Sequence, residues 1–437
     1  MSDEQHRSRR GARAARTPRE RGGIAAVLRR HPTAWSSAGI VAGFVLLAAG
    51  SLVAGMAVAS PHATVSPSAT PSATPRPTPS ALATPSRLRT CSIASLAADP
   101  RLMTLEGSVL RADTGEVLFD RAAANPAPTA SLLKVLVAAA AVSTLGPDYQ
   151  IATDVVDGSA PGTVVLVGHG DATLSALGPG RESVYAGAPK LSDLAAQTVA
   201  AYASRHPGVA ITEVILDASY WSSADAWDPD VKGSERTQGY QSLTTALQVD
   251  GDRADPTRQT SPRGSDPVAD AGAAFVSALK AADPGGVVAG SVGTADGTAT
   301  AGAAQLAQVK SQPVRALLPQ MLLPSDNTLG EMLARIVSKA GGYAGSAASL
   351  QQAIPAALAP YKLPAAGLTI RDGSGESPKN AVPASTMSLL MMQVQAGSQN
   401  LDVVRDALPV AGKTGGLADR FTGSNAVARG HVTAKTG

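Results

Sequence analysis

Residues 131–146, "SLLKVLVAAAAVSTLG", constrain the fold more than any other stretch of this 437-residue chain. The composition predicts a helix, and the Gly146-Pro147 pair, which is typical of helix C-termini, marks its end. Ala, Val and Leu occupy nearly all its positions, so this helix has no face suited to water. A helix of this kind has to be buried on all sides, and we expect it to run through the centre of a domain. Its one charged residue, Lys134, is then desolvated.

Three segments of unusual composition come before the part of the chain with globular patterning. Residues 1–37 form a basic tail. Nine Arg and three acids give residues 1–33 a charge of +6, and subtracting this from the total of +3 leaves −3 for the rest. A mildly acidic body does not suit a nucleic-acid partner. Residues 38–60 are uncharged and long enough to cross a bilayer once. Residues 61–88, rich in Pro, Ser, Thr and Ala, are typical of an extended spacer.

The tail and the apolar segment together predict a single-pass cell-membrane protein. Arg residues before the segment place that side in the cytoplasm and everything after residue 60 outside. A cleavable signal peptide is the alternative, because Ala57-Val58-Ala59 has the small-x-small pattern of cleavage sites. The long basic region favours an uncleaved signal-anchor. Cys91 is the only cysteine, so an intrachain disulfide is impossible.

The globular part mixes helix and strand patterns without a repeating βα unit, which predicts an α+β fold in layers. Residues 105–123 read as two strands joined by a turn at Asp113-Thr114-Gly115. From residue 304 onward helices are expected to dominate until a final strand in "GHVTAKTG". Between these parts we predict strands at 162–175 and 210–221 and helices at 191–208 and 266–283.

Three short motifs with chemical meaning occur, and each occurs twice. The pairs are Ser131-x-x-Lys134 and Ser277-x-x-Lys280, Ser325-Asp326-Asn327 and Ser398-Gln399-Asn400, and Lys413-Thr414-Gly415 and Lys435-Thr436-Gly437. Positions i and i+3 share a helix face, so Lys134 can reach the Ser131 hydroxyl. A desolvated lysine favours the neutral amine, and an amine beside a serine can activate it as a nucleophile.

The local context separates the copies. Ser131 begins the buried helix, where its hydroxyl and N–H can face a cleft, whereas Ser277 lies within an ordinary amphipathic helix. Residues 325–327 follow a proline and precede a helix, so simple N-capping is the alternative explanation there. Residues 398–400 are typical of a polar surface turn.

The whole set of motifs is shared by penicillin-binding proteins and serine β-lactamases. From about residue 91 to 437 the chain resembles the D-alanyl-D-alanine carboxypeptidase/endopeptidases, the class C low-molecular-mass penicillin-binding proteins. The resemblance rests on "APTASLLKVLVAAAAVSTLGPDYQIATDV", "VVLVGHGDATLS", "ILDASYW", "MLLPSDNTLGEMLARIV", "RDGSGESPKN" and "LPVAGKTGGLADRFTGSNAVARGHVTAKTG". It implies a penicillin-binding, serine β-lactamase-like transpeptidase fold, an antiparallel sheet with helices, carrying inserted α/β-type subdomains.

The resemblance also implies the reaction. Ser131 attacks the carbonyl between the two D-alanines of a peptidoglycan stem peptide and forms an acyl-enzyme, while Lys134 accepts its proton. Ser325 relays a proton to the leaving amine, and Asn327 holds the substrate amide and orients Lys134. Water then releases the acyl group, and neither a metal nor a cofactor is needed. β-Lactam antibiotics acylate Ser131 as substrate mimics.

For substrate binding, the resemblance implies that Lys435 and Thr436 hold the terminal carboxylate, with Gly437 and Asp326 in the same set. The family's final block begins with a Leu-Pro-x-Ala-Gly loop and ends in a strand bearing the catalytic Lys-Thr-Gly. Lys435 is therefore the motif lysine, and Lys413, surrounded by glycines, is a coincidence. Apolar and polar residues alternate up to Lys435, as in an edge strand.

The family's motif strand is followed by further strands and a C-terminal helix, and the N–H just past the motif glycine supplies half of the oxyanion hole. We therefore expect a chain ending at Gly437 to be C-terminally truncated and to lack those elements, so that the family's activity and the activity of this polypeptide are separate questions. Loss of one oxyanion donor alone typically costs about 10²–10³ in rate.

The resemblance divides the chain into a discontinuous catalytic domain, residues 89–150 plus 305–437, and inserted domains at 151–304. Asp372-Gly373-Ser374-Gly375 resembles a further family signature, for which a tight turn is the alternative explanation. Two other functions stay open. One is a catalytically inactive peptidoglycan-binding protein of the same fold, and the other is a hydrolase using a His169–Asp171 pair.

Overall fold

The helix predicted at residues 131–146 lies at the centre of the structure. The computed structural model describes residues 93–437, and in it this helix, α2, spans Leu133–Thr144 after a 3-10 turn at Ala130–Leu132. Its residues from Leu133 to Val142 are all buried, as the absence of a polar face requires. The predicted tail (1–37), membrane segment (38–60) and spacer (61–88) lie outside the described residues.

Helices and strands alternate irregularly along the described residues. The other helices are α1 (Ala94–Ala97), α3 (Leu191–Arg205), α4 (Ser234–Thr237), α5 (Pro267–Ala281), α6 (Val314–Leu322), α7 (Asn327–Ala340), α8 (Ala347–Leu358), α9 (Ala384–Ala396) and α10 (Asp402–Asp406). The strands are β1 (Gly107–Leu110), β2 (Val117–Arg121), β3 (Pro126–Ala127), β4 (Ala152–Asp157), β5 (Thr163–Gly168), β6 (Ile211–Asp217), β7 (Val288–Asp296), β8 (Gln305–Lys310) and β9 (Val382–Pro383).

A helical layer surrounds α2. Helices α6, α7, α8 and α10 pack directly against it. Their buried side chains, such as Leu317, Leu333 and Ile354, form one continuous apolar cluster with those of α2. Burial of this apolar area is the main favourable contribution to folding here. The layer fixes α2, and with it the residues at the N-terminal end of α2.

Two short antiparallel pairings lie beside this layer. Strands β1 and β2 form the predicted hairpin with Val109 opposite Phe119, and β1 packs on α9. Gly115 in the turn has φ +72°, a conformation that favours glycine. Strands β3 and β9 pair through Pro126 and Pro383. This second pairing ties the segment that leads to Ser131 to the start of α9.

A five-stranded sheet carries a second apolar cluster. Its strand order is β7-β6-β5-β4-β8, with β4 antiparallel to both neighbours and β5, β6 and β7 parallel. Helices α3 and α5 pack on it through buried residues such as Leu194 and Phe275. The helices and strands predicted between residues 162 and 283 are all present, which agrees with an α+β architecture.

Two details of the predicted secondary structure are wrong. Strand β8 lies directly after residue 304, in the region where the sequence predicts that helices dominate. Its sequence, "QLAQVK", carries one β-branched residue, so pairing with β4 and not propensity makes it a strand. The final strand is not regular either. It forms only the isolated bridge between Val410 and Thr433, because residues 409–411 alone pair with it in the described structure.

The division into a catalytic domain and inserted domains at 151–304 stays a prediction. Within residues 93–437, no helix is both long and apolar enough to cross a membrane.

Candidate active site

Ser131 lies in the 3-10 turn that leads into α2. The residue before it, Ala130, has φ +45°, a left-handed conformation that costs energy for a residue with a Cβ. Ser131 itself is half-buried. One turn later Lys134 points back along the same helix face, and its Nζ lies 2.9 Å from the Ser131 Oγ. The spacing in the sequence thus gives the predicted contact.

Three acceptors surround the Lys134 amine, whose side chain is fully buried. Besides the Ser131 Oγ, they are the Oδ1 of Asn327 at 2.6 Å and the backbone carbonyl of Ser374 at 2.6 Å. The two carbonyl oxygens can only accept hydrogen bonds, whereas the serine hydroxyl can also donate one. A neutral Lys134 therefore gives its two N–H groups to the carbonyls, and its lone pair faces the Ser131 hydroxyl.

The surroundings of Lys134 favour this neutral form. Burial, followed by the positive charge of Lys435, lowers the pKa of Lys134 to about 8. The carboxylates of Glu376, Glu331 and Asp372 oppose this shift. A lysine with a pKa near neutrality can accept and return a proton during a reaction.

The Ser325-Asp326-Asn327 motif forms the turn into α7. Ser325 has φ +63°, and Asp326 is the N-cap, with its Oδ1 accepting from the Leu329 N–H at 2.9 Å. The next residue, Asn327, directs its amide at Lys134. Within this motif Asp326 therefore caps the helix, and Asn327 contacts the site.

Asp326 does not fit the predicted substrate-binding role. Its other oxygen, Oδ2, accepts from Arg253 at 2.6 Å, from Gln259 at 2.9 Å and from Tyr185 at 3.2 Å. The Asp326 and Arg253 side chains are essentially unexposed, so both carboxylate oxygens are used inside the protein. Burial alone would raise the pKa of Asp326, but Arg253 and Arg263 hold it below its usual range. Asp326 anchors the turn.

The structure separates the two Lys-Thr-Gly copies. Lys435 is buried, and its Nζ donates to the Ser325 Oγ at 2.9 Å and to the Thr436 carbonyl at 2.7 Å. Burial lowers the pKa of Lys435 to about 8. Lys413 is exposed. Gly437 is exposed and lies beside the Thr129 carbonyl, so the second copy runs alongside the turn that carries Ser131.

The loop after Thr369, which forms an isolated bridge with Ala381, supplies partners that the motifs did not reveal. Glu331 of α7 accepts the backbone N–H groups of Gly373 and Ser374, at 3.1 and 2.9 Å, and so places the Ser374 carbonyl at Lys134. Glu376 accepts from the Nδ2 of Asn327 at 2.8 Å. The Asp-Gly-Ser-Gly signature pointed to this loop, but no sequence pattern marked either glutamate.

Asp372 closes this loop on itself. Its carboxylate accepts from the Gly375 N–H at 2.8 Å and the Ser377 N–H at 2.6 Å. Burial and the neighbouring Glu331 raise its pKa. Asp372 therefore stabilises a tight turn, as the alternative explanation expected. The loop contacts Lys134 through the Ser374 carbonyl.

The remaining candidates lie apart from this group. Asp171 accepts from the N–H and hydroxyl of Thr173, a local turn, and the His169 Nδ1 lies 3.5 Å from Asp154. The proposed His169–Asp171 pair is thus not formed, and residues 93–437 contain no cluster of ligands that could hold a metal. The second copies at Ser277 and at residues 398–400 are exposed.

A serine with a buried lysine one turn later, a Ser-x-Asn turn and a second buried lysine define a serine acyl-transfer enzyme of the penicillin-binding type. Comparison with known proteins gives the family. A model described as the D-Ala-D-Ala carboxypeptidase 3 (S13) family matches residues 89–265 and 244–437, and the chain belongs to this family. The predicted family and enzyme class, a serine-type D-Ala-D-Ala carboxypeptidase, are therefore confirmed.

Individual relatives agree with this assignment. A carboxypeptidase of Mycobacterium tuberculosis is 37% identical over 357 residues, which cover 80% of this chain and 73% of that protein. The D-alanyl-D-alanine carboxypeptidase of an Actinomadura species is 28% identical over 414 residues, covering 79% and 75%. Penicillin-binding protein 4 of Haemophilus influenzae superposes with a TM-score of 0.60 at 16% identity, over 76% of this chain and 84% of that one. This likeness confirms the predicted fold class.

Proposed function

We propose that this chain cleaves the bond between the two terminal D-alanines of peptidoglycan stem peptides, or the equivalent peptide cross-link, through an acyl-enzyme on Ser131. The observation that carries the proposal is the fully buried Lys134 amine, 2.9 Å from the Ser131 hydroxyl and held by two carbonyl groups. This arrangement supplies a base at a serine without a histidine.

In the acylation step, the Ser131 Oγ attacks the substrate carbonyl as its proton passes to the lone pair of Lys134. The tetrahedral intermediate then collapses, the C–N bond breaks, and the leaving amine needs a proton. Ser325 relays one to the amine from protonated Lys435, because its Oγ accepts from Lys435 and its own hydroxyl hydrogen is available to donate. In the second step water attacks the acyl-Ser131 ester and its proton returns to Lys435 through Ser325. Lys134 gives its proton back to the Ser131 oxygen, which releases the shortened peptide and restores the serine.

We assign recognition of the terminal carboxylate to Lys435 and Thr436. Lys435 is the buried cation beside Ser325, and burial strengthens its attraction for an anion. Asn327, whose Oδ1 is used by Lys134, donates one Nδ2 hydrogen to Glu376 and retains the other for a substrate carbonyl. β-Lactams, which present a carboxylate beside a reactive amide, fit the same group of residues. A solved structure of Haemophilus influenzae penicillin-binding protein 4 contains such a compound.

Covalent labelling of the full chain with fluorescent penicillin tests the proposal. We expect label on the wild type and none on Ser131→Ala. The matched control is Ser277→Ala, which removes the exposed serine of the second Ser-x-x-Lys copy and should leave labelling unchanged. Release of D-alanine from a peptide ending in D-Ala-D-Ala should follow the same pattern. A wild-type chain that binds peptidoglycan without labelling or D-alanine release would instead be the inactive binding protein.

We also propose that residues 38–60 anchor the chain in the cell membrane with its catalytic part outside. The Arg-rich residues before this segment and its lack of charge support the proposal. Fractionation of cells that express the full chain is the test. The protein should stay in the membrane after alkaline washing and should keep its N-terminal residues, whereas a cleaved signal peptide would release a shorter soluble form.

A further inference from the structure

Glu376 completes a line of hydrogen bonds that ends at the reactive serine. Its Oε1 accepts from the Nδ2 of Asn327 at 2.8 Å, the Oδ1 of Asn327 accepts from Lys134 at 2.6 Å, and Lys134 contacts Ser131 at 2.9 Å. Glu376 is half-buried and lies two residues after Ser374, whose carbonyl is another acceptor for Lys134. None of the three motifs includes it.

The chemistry of the Asn327 amide shows why this partner matters. An amide has an accepting end and a donating end, and its two neighbours decide which end faces which. While Lys134 is protonated it can only donate, so it holds the Oδ1 end by itself. Once Lys134 is neutral, its lone pair could instead accept a hydrogen bond from the Nδ2 end. That lone pair would then be unavailable for the Ser131 proton.

A carboxylate at the far end prevents this rotation, because an ionised carboxylate can only accept. Glu376 therefore holds Nδ2 and keeps Oδ1 towards Lys134 in the protonation state that reacts. We infer that Glu376 is a positioning residue for acylation, which acts through the Asn327 amide to keep the lone pair of Lys134 directed at the Ser131 hydroxyl. The inference rests on the proposed role of Lys134 as the base.

Glu376 also acts on Lys134 through its charge. Four titratable groups influence the amine: Lys435 lowers its proton affinity, and Glu376, Glu331 and Asp372 raise it. Glu331 and Asp372 are buried and accept backbone N–H groups of the loop, whereas Glu376 is the one that contacts Asn327. Replacing Glu376 by glutamine keeps the size of the side chain and removes both the negative charge and the acceptor-only character.

The rate of Ser131 acylation at saturating fluorescent penicillin, whose bound carboxylate keeps Lys435 charged, is measured from about pH 6 to about pH 10 for the wild type, Glu376→Gln and Glu376→Asp. In Glu376→Gln we expect the plateau rate to fall about tenfold, less than the 10²–10⁴ associated with losing a general base outright. The midpoint of the rise with pH should move to lower pH, on the order of one unit. Glu376→Asp keeps a negative acceptor, so its midpoint should stay at the wild-type value and its plateau should partly recover.

Glu182→Gln is the matched control, because it removes the same charge from an exposed side chain outside the group around Ser131. Its profile should equal that of the wild type. Wild-type rate and midpoint in Glu376→Gln would overturn the inference. Equal plateau losses in both Glu376 variants with unmoved midpoints would also overturn it, since packing alone would then explain them. Failure of the proposed function has a different signature, namely a wild type that takes no label or a label that survives Ser131→Ala.

Discussion

The acylation rate of Ser131 should rise with pH along a limb centred near pH 8. Burial and Lys435 lower the pKa of Lys134 to about 8, from an ordinary lysine value of 10.5. At pH 7 about a tenth of the Lys134 amines are then neutral, against about 0.03% for an ordinary lysine, so the site holds about 300-fold more free base. Rapid mixing with fluorescent penicillin, followed by gel quantification, gives the rate at each pH.

Replacing Lys435 by methionine tests the electrostatic part of this argument. The Lys435 charge lowers the pKa of Lys134, so its removal should raise that pKa and move the limb to higher pH. A rise of one unit, about 1.4 kcal/mol, would lower the rate at pH 7 about tenfold. Loss of the contact with Ser325 should reduce the rate at every pH as well. The diagnostic quantity is therefore the ratio of rates at high and neutral pH, which should increase.

Lys413→Met is the control for this experiment. It removes the lysine of the exposed Lys-Thr-Gly copy and should reproduce the wild-type profile. A Lys435→Met limb at or below the wild-type position would refute the reasoning, because the two lysines would then not interact as their burial implies. Because both lysines titrate near pH 8, the wild-type midpoint belongs to the pair and is compared only between variants.

Two further changes test the support of the site. Arg253→Met leaves the Asp326 carboxylate buried without the cation that contacts it and should cost about 3–5 kcal/mol in urea unfolding at neutral pH. The pKa of Asp326 is depressed in the folded protein, so the difference in free energy of unfolding between wild type and variant should shrink as the pH falls through that pKa. A difference that stays constant with pH would contradict the ion-pair explanation. In Gly375→Ala the new Cβ would overlap the Ala130 carbonyl at φ +89°, whereas Gly342→Ala at φ +84° meets nothing. Both variants carry the left-handed cost of about 1–2 kcal/mol, but only Gly375→Ala should lose penicillin labelling; equal labelling would exclude the clash.

The parts of the site that the sequence predicts are those set by local geometry. Ser131 and Lys134 meet because they are three residues apart on a helix, and the burial of that helix follows from its composition. The motif turn at residues 325–327 and the choice of Lys435 over Lys413 came from the resemblance and from flanking residues. Within the described structure, burial is the physical difference between the two Lys-Thr-Gly copies.

The partners that tune these residues could not be predicted, because tertiary packing brings them in from distant positions. Arg253 is 73 residues from Asp326, and Glu376 is 49 residues from Asn327. Each is a charged residue in a polar stretch, where a solvent-exposed side chain is the ordinary expectation. The same limitation explains the error at Asp326, which the resemblance placed among the substrate-binding residues although its carboxylate is buried against Arg253.

The anchoring of Asp326 bears on why so many residues separate Lys134 from Ser325. Tyr185, Arg253 and Gln259 all come from that intervening region, and all three donate to the Asp326 Oδ2. These hydrogen bonds hold Asp326 inside the protein. As a result Ser325 contacts Lys435 and Asn327 contacts Lys134. Because Ser325 is in a left-handed conformation, the turn needs such external support to persist. The region between the first two motifs therefore stabilises the turn that carries Ser325 and Asn327.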